Sequence, residues 1–287
     1  MTSQRLLIHI GIGKAGSSLL QAWLAGRRDL ATVNTRDIYR AAFGRREIAG
    51  YWLSDEHLSL GLEFQGDTGE VTAPIPIKTF QRAAAHQLRN LFPEARILLV
   101  TRGFAGFLPS MYSQYVKKGG TLSFAEFLDR YRALFLDVLD FDYLVRTYRE
   151  AFDAENLTIL PFELLGDRPD VFFRAVGEIL GLEVRKAPHQ SVNPSLTPGQ
   201  IAVFAATNRH AIRLARALGP RRGKRFMKAY RRAWLQSQWS VAASAALARS
   251  AQQLVVPTPY LEAFRGRAAT LAALPSFADY REQYLLD

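Results

Sequence analysis

The chain has 287 residues, of which 48% are hydrophobic, and a formal net charge of +11. This length and composition allow a sizeable core and indicate a globular protein, which we interpret as one domain spanning residues 1–287. Cysteine is absent, which excludes disulfides, thiolate metal sites and cysteine nucleophiles. The N-terminus lacks a signal-peptide pattern, and no apolar run approaches the roughly 20 residues of a membrane span, so we expect a cytoplasmic protein.

The positive charge is concentrated late in the chain. Residues 184–261 contain thirteen lysines and arginines and no aspartate or glutamate. The rest of the chain is close to neutral, with 24 basic and 26 acidic side chains. The acid-free segment therefore predicts contact with an anionic ligand, polymer or membrane surface.

The first predicted element is a strand over Leu6–Ile10, followed by a glycine-rich turn and then by apolar residues at helical spacing. Glycines let successive N–H groups converge, and the start of a helix adds partial positive charge there. Lys14 adds a full charge, and two serines add hydrogen-bond donors. The turn therefore predicts a phosphate- or sulfate-binding loop, made of Gly13, Lys14, Ala15, Gly16, Ser17 and Ser18.

Further strands and helices alternate along the chain. Strands are predicted at Asn34–Tyr39, Gly50–Ser54, Arg96–Thr101 and Leu157–Leu160, and residues 63–77 are predicted to be a loop. Helices are predicted at Phe80–Phe92, after Gly103, and at Phe124–Tyr131, Tyr143–Phe152, Asp170–Leu180, Pro198–Leu218 and Arg222–Arg249, with a short helical piece after Pro257. Repeated strand-then-helix units predict an α/β fold with a central parallel sheet flanked by helices.

Two strand ends deliver polar side chains. The strand Gly50–Ser54 is followed by Asp55, Glu56 and His57, and in an open α/β sheet this is the edge where chemistry takes place. The strand Arg96–Thr101 is followed by Arg102, and Ser110 comes eight positions later in the next helix. A guanidinium and a hydroxyl converging in this way can bind a second phosphate.

Together these motifs resemble the sulfotransferases that use 3′-phosphoadenosine 5′-phosphosulfate (PAPS), in particular the bacterial and carbohydrate-type branch. In that family a loop like Lys-Thr-Gly-Thr-Thr holds the phosphosulfate, and residues 14–18 have the sequence Lys-Ala-Gly-Ser-Ser. The 3′-phosphate motif of the family is an arginine followed eight residues later by a serine, with a tyrosine two further on, and Arg102, Ser110 and Tyr112 match it. The resemblance covers roughly residues 5–195 and leaves residues 196–287 as a basic helical extension.

The resemblance implies a P-loop-like three-layer fold, PAPS as donor, its product PAP, no metal, and transfer of a sulfuryl group to a hydroxyl. Lys14 would stabilise the leaving phosphate. Glu56 is the first candidate for the base that takes the proton of the acceptor, and His57 is the second. The adenine-side motif Lys-Gly-x-x-Gly-x-x-Lys of the cytosolic small-molecule enzymes is absent, which favours a saccharide or glycolipid acceptor over a phenol or steroid.

Three further side chains have weaker interpretations. Lys78 could contact the acceptor or the donor, or be a solvated lysine. His9 lies within the first strand and is interpreted as a core group, not as a base. Glu163 follows the strand Leu157–Leu160 and is predicted to orient the end of the sheet.

The basic segment has several possible ligands. Its cations between residues 209 and 232, Arg221 and Arg222 among them, could hold an anionic saccharide, another anionic polymer or a membrane surface such as the inner one, or form a solvated basic face. Nucleic acid is disfavoured, because no known reader motif accompanies the charge.

Two other functions stay open on the sequence. The first is a P-loop phosphotransferase using ATP and Mg²⁺, although the lysine of that motif follows the last glycine, whereas Lys14 precedes Gly16. The second is a binding module for an anionic polymer without enzymatic activity, which leaves the glycine-rich loop and the Arg102–Ser110 pair unexplained.

Overall fold

The computed structural model describes residues 5–33, 48–65, 69–184, 196–236 and 254–286. A sheet of five parallel strands forms its centre, in the spatial order β2-β3-β1-β6-β7. These strands are β1 (Arg5–His9), β2 (Leu30–Thr32), β3 (Gly50–Ser54), β6 (Arg96–Thr101) and β7 (Leu157–Pro161). The α/β fold class predicted from the alternating elements is confirmed.

The central strands are apolar along their length because both faces of the sheet are covered. Leu7 and Ile8 of β1 and residues 97–100 of β6 have no exposed surface. Ile8 is paired with Leu53 on one side and with Ile97 on the other. The ladder continues past β1, since the N–H of Ile12 donates to the carbonyl of Val100 over 3.0 Å. The glycine-rich turn therefore starts from a rigid base.

Helices flank the sheet. In chain order they are α1 (Ser17–Gly26), α2 (His57–Leu60), α3 (Ile77–Leu91), α4 (Phe104–Lys117), α5 (Phe124–Arg130), α6 (Arg132–Val138), α7 (Phe141–Phe152), α8 (Phe162–Asp167), α9 (Pro169–Leu180), α10 (Pro198–Ala217), α11 (Gly219–Gln236) and α12 (Thr258–Leu261). Short 3₁₀ turns follow α7 at Ala154–Asn156 and form most of residues 262–284.

Helix α10 begins where its sequence predicts. Thr197 and Gln200 form a capping box, in which the Thr197 hydroxyl accepts from the N–H of Gln200 and the Gln200 side chain accepts from the N–H of Thr197. Pro198 occupies the first helical position, where a missing N–H costs nothing. The helix ends at Ala217, one residue before the predicted end.

The structure departs from the sequence-based prediction at several short elements and leaves two predictions untested. The strand β2 and the helices α2, α6 and α8 were not predicted. Residues 63–77 are not all loop, because β4 (Glu63–Phe64) and β5 (Val71–Thr72) form a two-stranded antiparallel sheet. Such short strands have no measurable period in the sequence. The predicted strand at 34–39 and the part of the predicted helix beyond residue 236 lie outside the described residues. Among those described, no helix is long and apolar enough to cross a bilayer.

Candidate functional site

The glycine-rich turn that follows β1 is tightly packed. Lys14 and Gly16 both have a positive φ, of 71° and 78°, and Gly16 is the N-cap of α1. A Cβ at Gly16 would lie 2.5 Å from Leu165, and one at Gly13 would lie 2.6 Å from Leu60. The positive φ therefore favours glycine at position 16, and the backbone of the turn is held at the N-terminus of a helix of ten residues.

Two buried hydroxyls, one at this turn and one on α4, lack a hydrogen-bond partner. Among the described residues, the buried side-chain nitrogen and oxygen atoms without a hydrogen bond number four, and two of these are the Oγ atoms of Ser17 and Ser110. An unsatisfied buried polar atom costs about 1–3 kcal/mol. Both serines are in the predicted anion site, so an anionic acceptor of their hydrogen bonds would remove this cost.

Arg102 connects the turn to α4. Its Nη1 donates to the carbonyl of Lys14 over 2.6 Å, and its guanidinium lies 4.6 Å from the ring centre of Phe162. The same side chain runs along Gly106, which precedes Ser110 by one turn on the same helix face. Burial lowers the pKa of Arg102 from its ordinary value, but the group stays charged. Arg102 therefore lies along the face of α4 that carries Ser110, and its guanidinium contacts the Lys14 backbone.

A buried network fixes the strand end from which Arg102 projects. Glu163 accepts from the N–H of Gly103 over 3.0 Å and from the hydroxyl of Tyr284 over 2.9 Å. The Tyr284 oxygen also lies 2.9 Å from the hydroxyl of Thr101, the last residue of β6. Burial, with the nearby Glu163, raises the pKa of Tyr284 well above its ordinary value, so this hydroxyl keeps its proton. Glu163 thus orients the sheet end, as its position predicts.

The Lys14 ammonium lies in a cationic environment. Burial lowers the pKa of Lys14 below its ordinary value, and the positive charge of Lys117 lowers it further. Glu56 acts in the opposite direction, and the smaller effects of Arg102 and Lys118 lower it again. Cations held close together in a partly desolvated site favour an anionic ligand, because such a ligand relieves their repulsion.

A cavity of about 400 Å³ opens beside the turn. The glycine-rich turn, the edge of the sheet and α4 all contribute to its walls. Apolar atoms come from Leu60, Leu62, Phe64 and Met111. Its polar side chains are Lys14, Glu56, His57, Glu63, Gln114 and Lys118. The loop lysine thus shares one cavity with both residues that the sequence predicts as candidate bases.

Glu56 and His57 differ in their distance from the turn. The Oε2 atom of Glu56 lies 3.1 Å from the point where a side chain on Gly13 would begin. Glu56 is half-buried and His57 is exposed. The backbone N–H of His57 is held by the Asp55 carboxylate over 2.9 Å. Of the two candidates, Glu56 is therefore the one that faces the loop.

Two lysines of the site were not predicted from the sequence. Lys117 ends α4 and Lys118 follows it, and both are half-buried near Lys14. Burial lowers the pKa of Lys117 as well. The helical spacing of α4 could have predicted them, because Gln114 and residues 117–118 lie on the same helix face as Ser110.

The carboxyl end of α4 is held by a hairpin of α10 and α11. Asn208 is buried and donates through Nδ2 to the carbonyls of Val116 and Gly120, 2.9 Å each. From α11, Arg231 donates to the carbonyl of Lys118 over 3.2 Å, and Tyr230 donates to Asn208. The basic segment therefore supports the cavity wall at this end.

None of the three residues predicted to contact the substrate, Lys78, Arg221 and Arg222, lines the cavity. Lys78 pairs with Asp140 over 2.6 Å and lies 5.0 Å from the ring centre of Tyr143. Arg221 and Arg222 are exposed near the start of α11. Within the described part of the chain, no group of three or more histidine, aspartate or glutamate side chains is placed to hold a metal ion.

Comparison with known proteins gives structural neighbours only. No family model and no curated protein matches the sequence. A sulfotransferase from Alicyclobacillus acidocaldarius is 15% identical with a TM-score of 0.46, over 72% of this chain and 93% of that one. The mouse sulfotransferase SULT7A1, in complex with PAP, is 11% identical with a TM-score of 0.39, over 71% of this chain and 64% of that one. An assignment of function therefore has to rest on the residues of the chain itself.

Proposed function

We propose that the chain is a sulfotransferase that moves a sulfuryl group from PAPS to a hydroxyl acceptor. The observation that carries the proposal is the pair of buried, unpartnered hydroxyls of Ser17 and Ser110. Ser17 follows Lys14 by three residues in the turn. Ser110 lies one helical turn after Gly106, along which the Arg102 side chain runs. The bond from Arg102 to the Lys14 carbonyl links the two sets of donors. Two such sets suit a ligand that carries two separate anionic groups, as PAPS does.

The residues of the turn would bind the phosphosulfate. Arg102, which follows β6, and Ser110 of α4 would bind the 3′-phosphate. Lys14, Ser17, Ser18 and the N–H groups at the start of α1 are the donors for the first group. Arg102 and Ser110 are the donors for the second, and Arg102 offers a planar fork that suits phosphate oxygens. PAPS supplies the sulfuryl group, and the chain supplies binding and charge.

Lys14 and Glu56 would do the chemistry. As the sulfur–oxygen bond to the leaving phosphate breaks and a bond to the acceptor oxygen forms, negative charge grows on the bridging oxygen. Lys14 stabilises that charge, which is worth most in a partly desolvated site. Glu56 takes the proton of the acceptor hydroxyl, and His57 is the second candidate for this role.

The acceptor class that we propose is a saccharide or the sugar part of a glycolipid. Carboxylate, amide and ammonium groups in the walls of the 400 Å³ cavity can hydrogen-bond to several hydroxyls at once, while Phe64 and Met111 offer apolar contact. Such a mixture suits a sugar ring better than a purely aromatic or steroidal acceptor.

A thermal-shift titration tests the donor assignment. Adenosine 3′,5′-bisphosphate, 5′-AMP and ATP with Mg²⁺ would be compared at equal concentrations. We expect the bisphosphate to stabilise most, because it alone fills the Arg102–Ser110 region, and at about 100 times its Kd it adds roughly 2.7 kcal/mol. Stabilisation by ATP with Mg²⁺ alone would contradict the proposal and favour a phosphotransferase. No response to any nucleotide would leave the basic segment as the place of function.

A further inference from the structure

The turn between α10 and α11 presents apolar side chains to solvent. Leu214 is 49% exposed and Leu218 is 40% exposed. They are four residues apart, so they share one face at the end of α10. We call residues 212–228 the hairpin tip. Among the described residues there are five large hydrophobic side chains with such exposure, and two of them are at this tip.

A cleft of about 310 Å³ lies between the two helices at the same place. It is lined by apolar groups, among them Ile212, Pro220 and Met227, and the cations Arg216 and Lys224 also contribute to its wall. The helices approach closely below it, since a Cβ on Gly223 would lie 2.2 Å from the carbonyl oxygen of Ala215. The tip therefore combines exposed leucines with an open apolar cleft.

Cations surround these apolar groups, and no acid offsets them. The described structure gives the exposed cations of the tip no ion pair. They are Arg213, Arg216, Arg221, Arg222, Lys224, Arg225 and Lys228. Residues 221, 225 and 228 follow helical spacing, so the outward face of α11 is basic along its first turns.

We propose that the hairpin tip docks on a membrane surface that contains anionic lipids. The cations would lie among the lipid headgroups, and Leu214 and Leu218 would enter the boundary with the acyl chains. A dissolved polyanion would account for the charge but leaves the leucines and the cleft unexplained. A second copy of the chain would bring two basic surfaces together, which costs free energy.

The hairpin connects this surface to the cavity wall. Its opposite end binds α4 through Asn208 and Arg231. From the start of α11 to Arg231 the helix rises by about 18 Å, at 1.5 Å per residue. Docking of the tip would therefore hold the cavity near the membrane, and this inference does not depend on which reaction the site performs.

Site-specific fluorescence tests insertion directly. The chain has no cysteine, so Leu218→Cys can be labelled at one position with an environment-sensitive dye in the full-length protein. We expect a blue shift on addition of vesicles of phosphatidylcholine with phosphatidylglycerol. Leu91→Cys on α3 is the matched control, because Leu91 is 67% exposed on another surface, and its dye should not shift. Absence of a shift at residue 218 would overturn the proposal.

Vesicle sedimentation separates the lipid surface from other anions. Replacing both Leu214 and Leu218 by serine should weaken vesicle binding about tenfold. Neutralising Arg221, Arg225 and Lys228 with glutamine should weaken it on the order of a hundredfold. Leu91→Ser and Arg82→Gln, at other exposed positions of α3, should leave it unchanged, and a preserved thermal transition shows that each variant folds.

Two results would contradict docking of the hairpin tip on a lipid surface. If dextran sulfate binds as tightly as the vesicles and the double serine variant binds both normally, the tip is a general polyanion site. If sedimentation velocity shows a dimer that the double serine variant loses, and vesicle binding is absent, the leucines cover a second copy of the chain.

Discussion

The cavity beside the glycine-rich turn and the hairpin tip are both basic, but they use their cations differently. At the turn, Lys14 and Arg102 are partly buried, and the buried hydroxyls of Ser17 and Ser110 lack partners. At the tip the cations are exposed, and the polar atoms around them face solvent. The first arrangement has a small number of donors at fixed positions, whereas the second repeats exposed cations along a helix face.

This difference shows that charge alone does not define a ligand. A buried cation has given up hydration and gains most from a small anion that replaces it, so the site selects by geometry. An exposed cation keeps its hydration and adds to a diffuse field, so the surface selects by charge density and by the apolar groups between the cations.

The largest expected effects are losses of turnover on replacing Lys14 or Glu56. Lys14→Met keeps the stem of the side chain and removes the charge that would stabilise the leaving phosphate. We expect kcat to fall on the order of 10³-fold. Turnover with PAPS and an acceptor found by screening saccharides would measure this. Arg82→Met is the control with unchanged turnover, and Lys14→Met should still bind anionic vesicles, since the tip is intact.

If Lys14→Met keeps its kcat, the lysine has no part in the chemistry. If Lys14→Met loses vesicle binding as well as turnover, the two basic regions do not have separate functions.

Glu56→Gln belongs to the same experiment. It should lose about 10²–10⁴-fold in kcat while keeping the affinity for PAP, because the base acts on the acceptor. If Glu56→Gln is active and His57→Gln is not, the second candidate is the base.

Arg102 tests the geometric selectivity of the cavity. Arg102→Lys keeps the charge but loses the fork that reaches both the Lys14 carbonyl and a phosphate. We expect adenosine 3′,5′-bisphosphate to bind about 10–100-fold more weakly, as judged by calorimetry, with little change for 5′-AMP, which lacks the 3′-phosphate. A uniform loss for both nucleotides would mean that Arg102 contributes only general positive charge.

Much of the site could be predicted because it depends on local sequence. Lys14, Ser17, Arg102 and Glu56 lie in the segments that follow strands of one parallel sheet, and such strand ends meet at one edge. The pattern of strands β1, β3, β6 and β7 follows from their apolar runs, which need no knowledge of distant residues.

The parts that could not be predicted depend on contacts between distant segments. Lys117 belongs to the candidate site only because the end of α4 lies near Lys14, and Tyr284 reaches Glu163 across 121 positions in the sequence. The exposed side of the hairpin tip is also a tertiary property. The sequence shows thirteen cations among residues 184–261, but only the packing of α10 on α11 shows which leucines stay in solvent.

His9 tests whether the buried interior beneath the glycine-rich turn excludes a charged side chain, in contrast to the solvent-exposed cations of the hairpin tip. It is fully buried in β1, its Nδ1 lies 2.7 Å from the Ser54 hydroxyl, and burial lowers its pKa to about 3. The unfolded chain takes up a proton below about pH 6.5 and the folded chain does not, so stability is lost as the pH falls from about 6.5 toward 3. Between pH 6.5 and pH 5 the free energy of unfolding should fall by about 2 kcal/mol for this reason.

Urea unfolding of His9→Asn measures that loss. The variant has a cavity at neutral pH, but its stability should fall less steeply toward pH 5 than that of the wild type. His86→Asn, which changes an exposed histidine on α3, should retain the wild-type slope. Equal slopes for His9→Asn and the wild type would show that the interior beneath the loop admits the charged form.

The smallest expected effect concerns the coupling of cations within the cavity. Burial is the main cause of the lowered pKa of Lys14, and Lys117 is the next. A neighbouring positive charge disfavours the protonated ammonium, so Lys117→Gln should raise the pKa of Lys14. The alkaline limb of kcat/KM then moves to higher pH. Lys118→Gln is the matched control, because Lys118 affects Lys14 least among its charged neighbours, and it should move the limb less. A shift to lower pH in Lys117→Gln, or an equal shift in both variants, would show that the two lysines act on the substrate and not on Lys14.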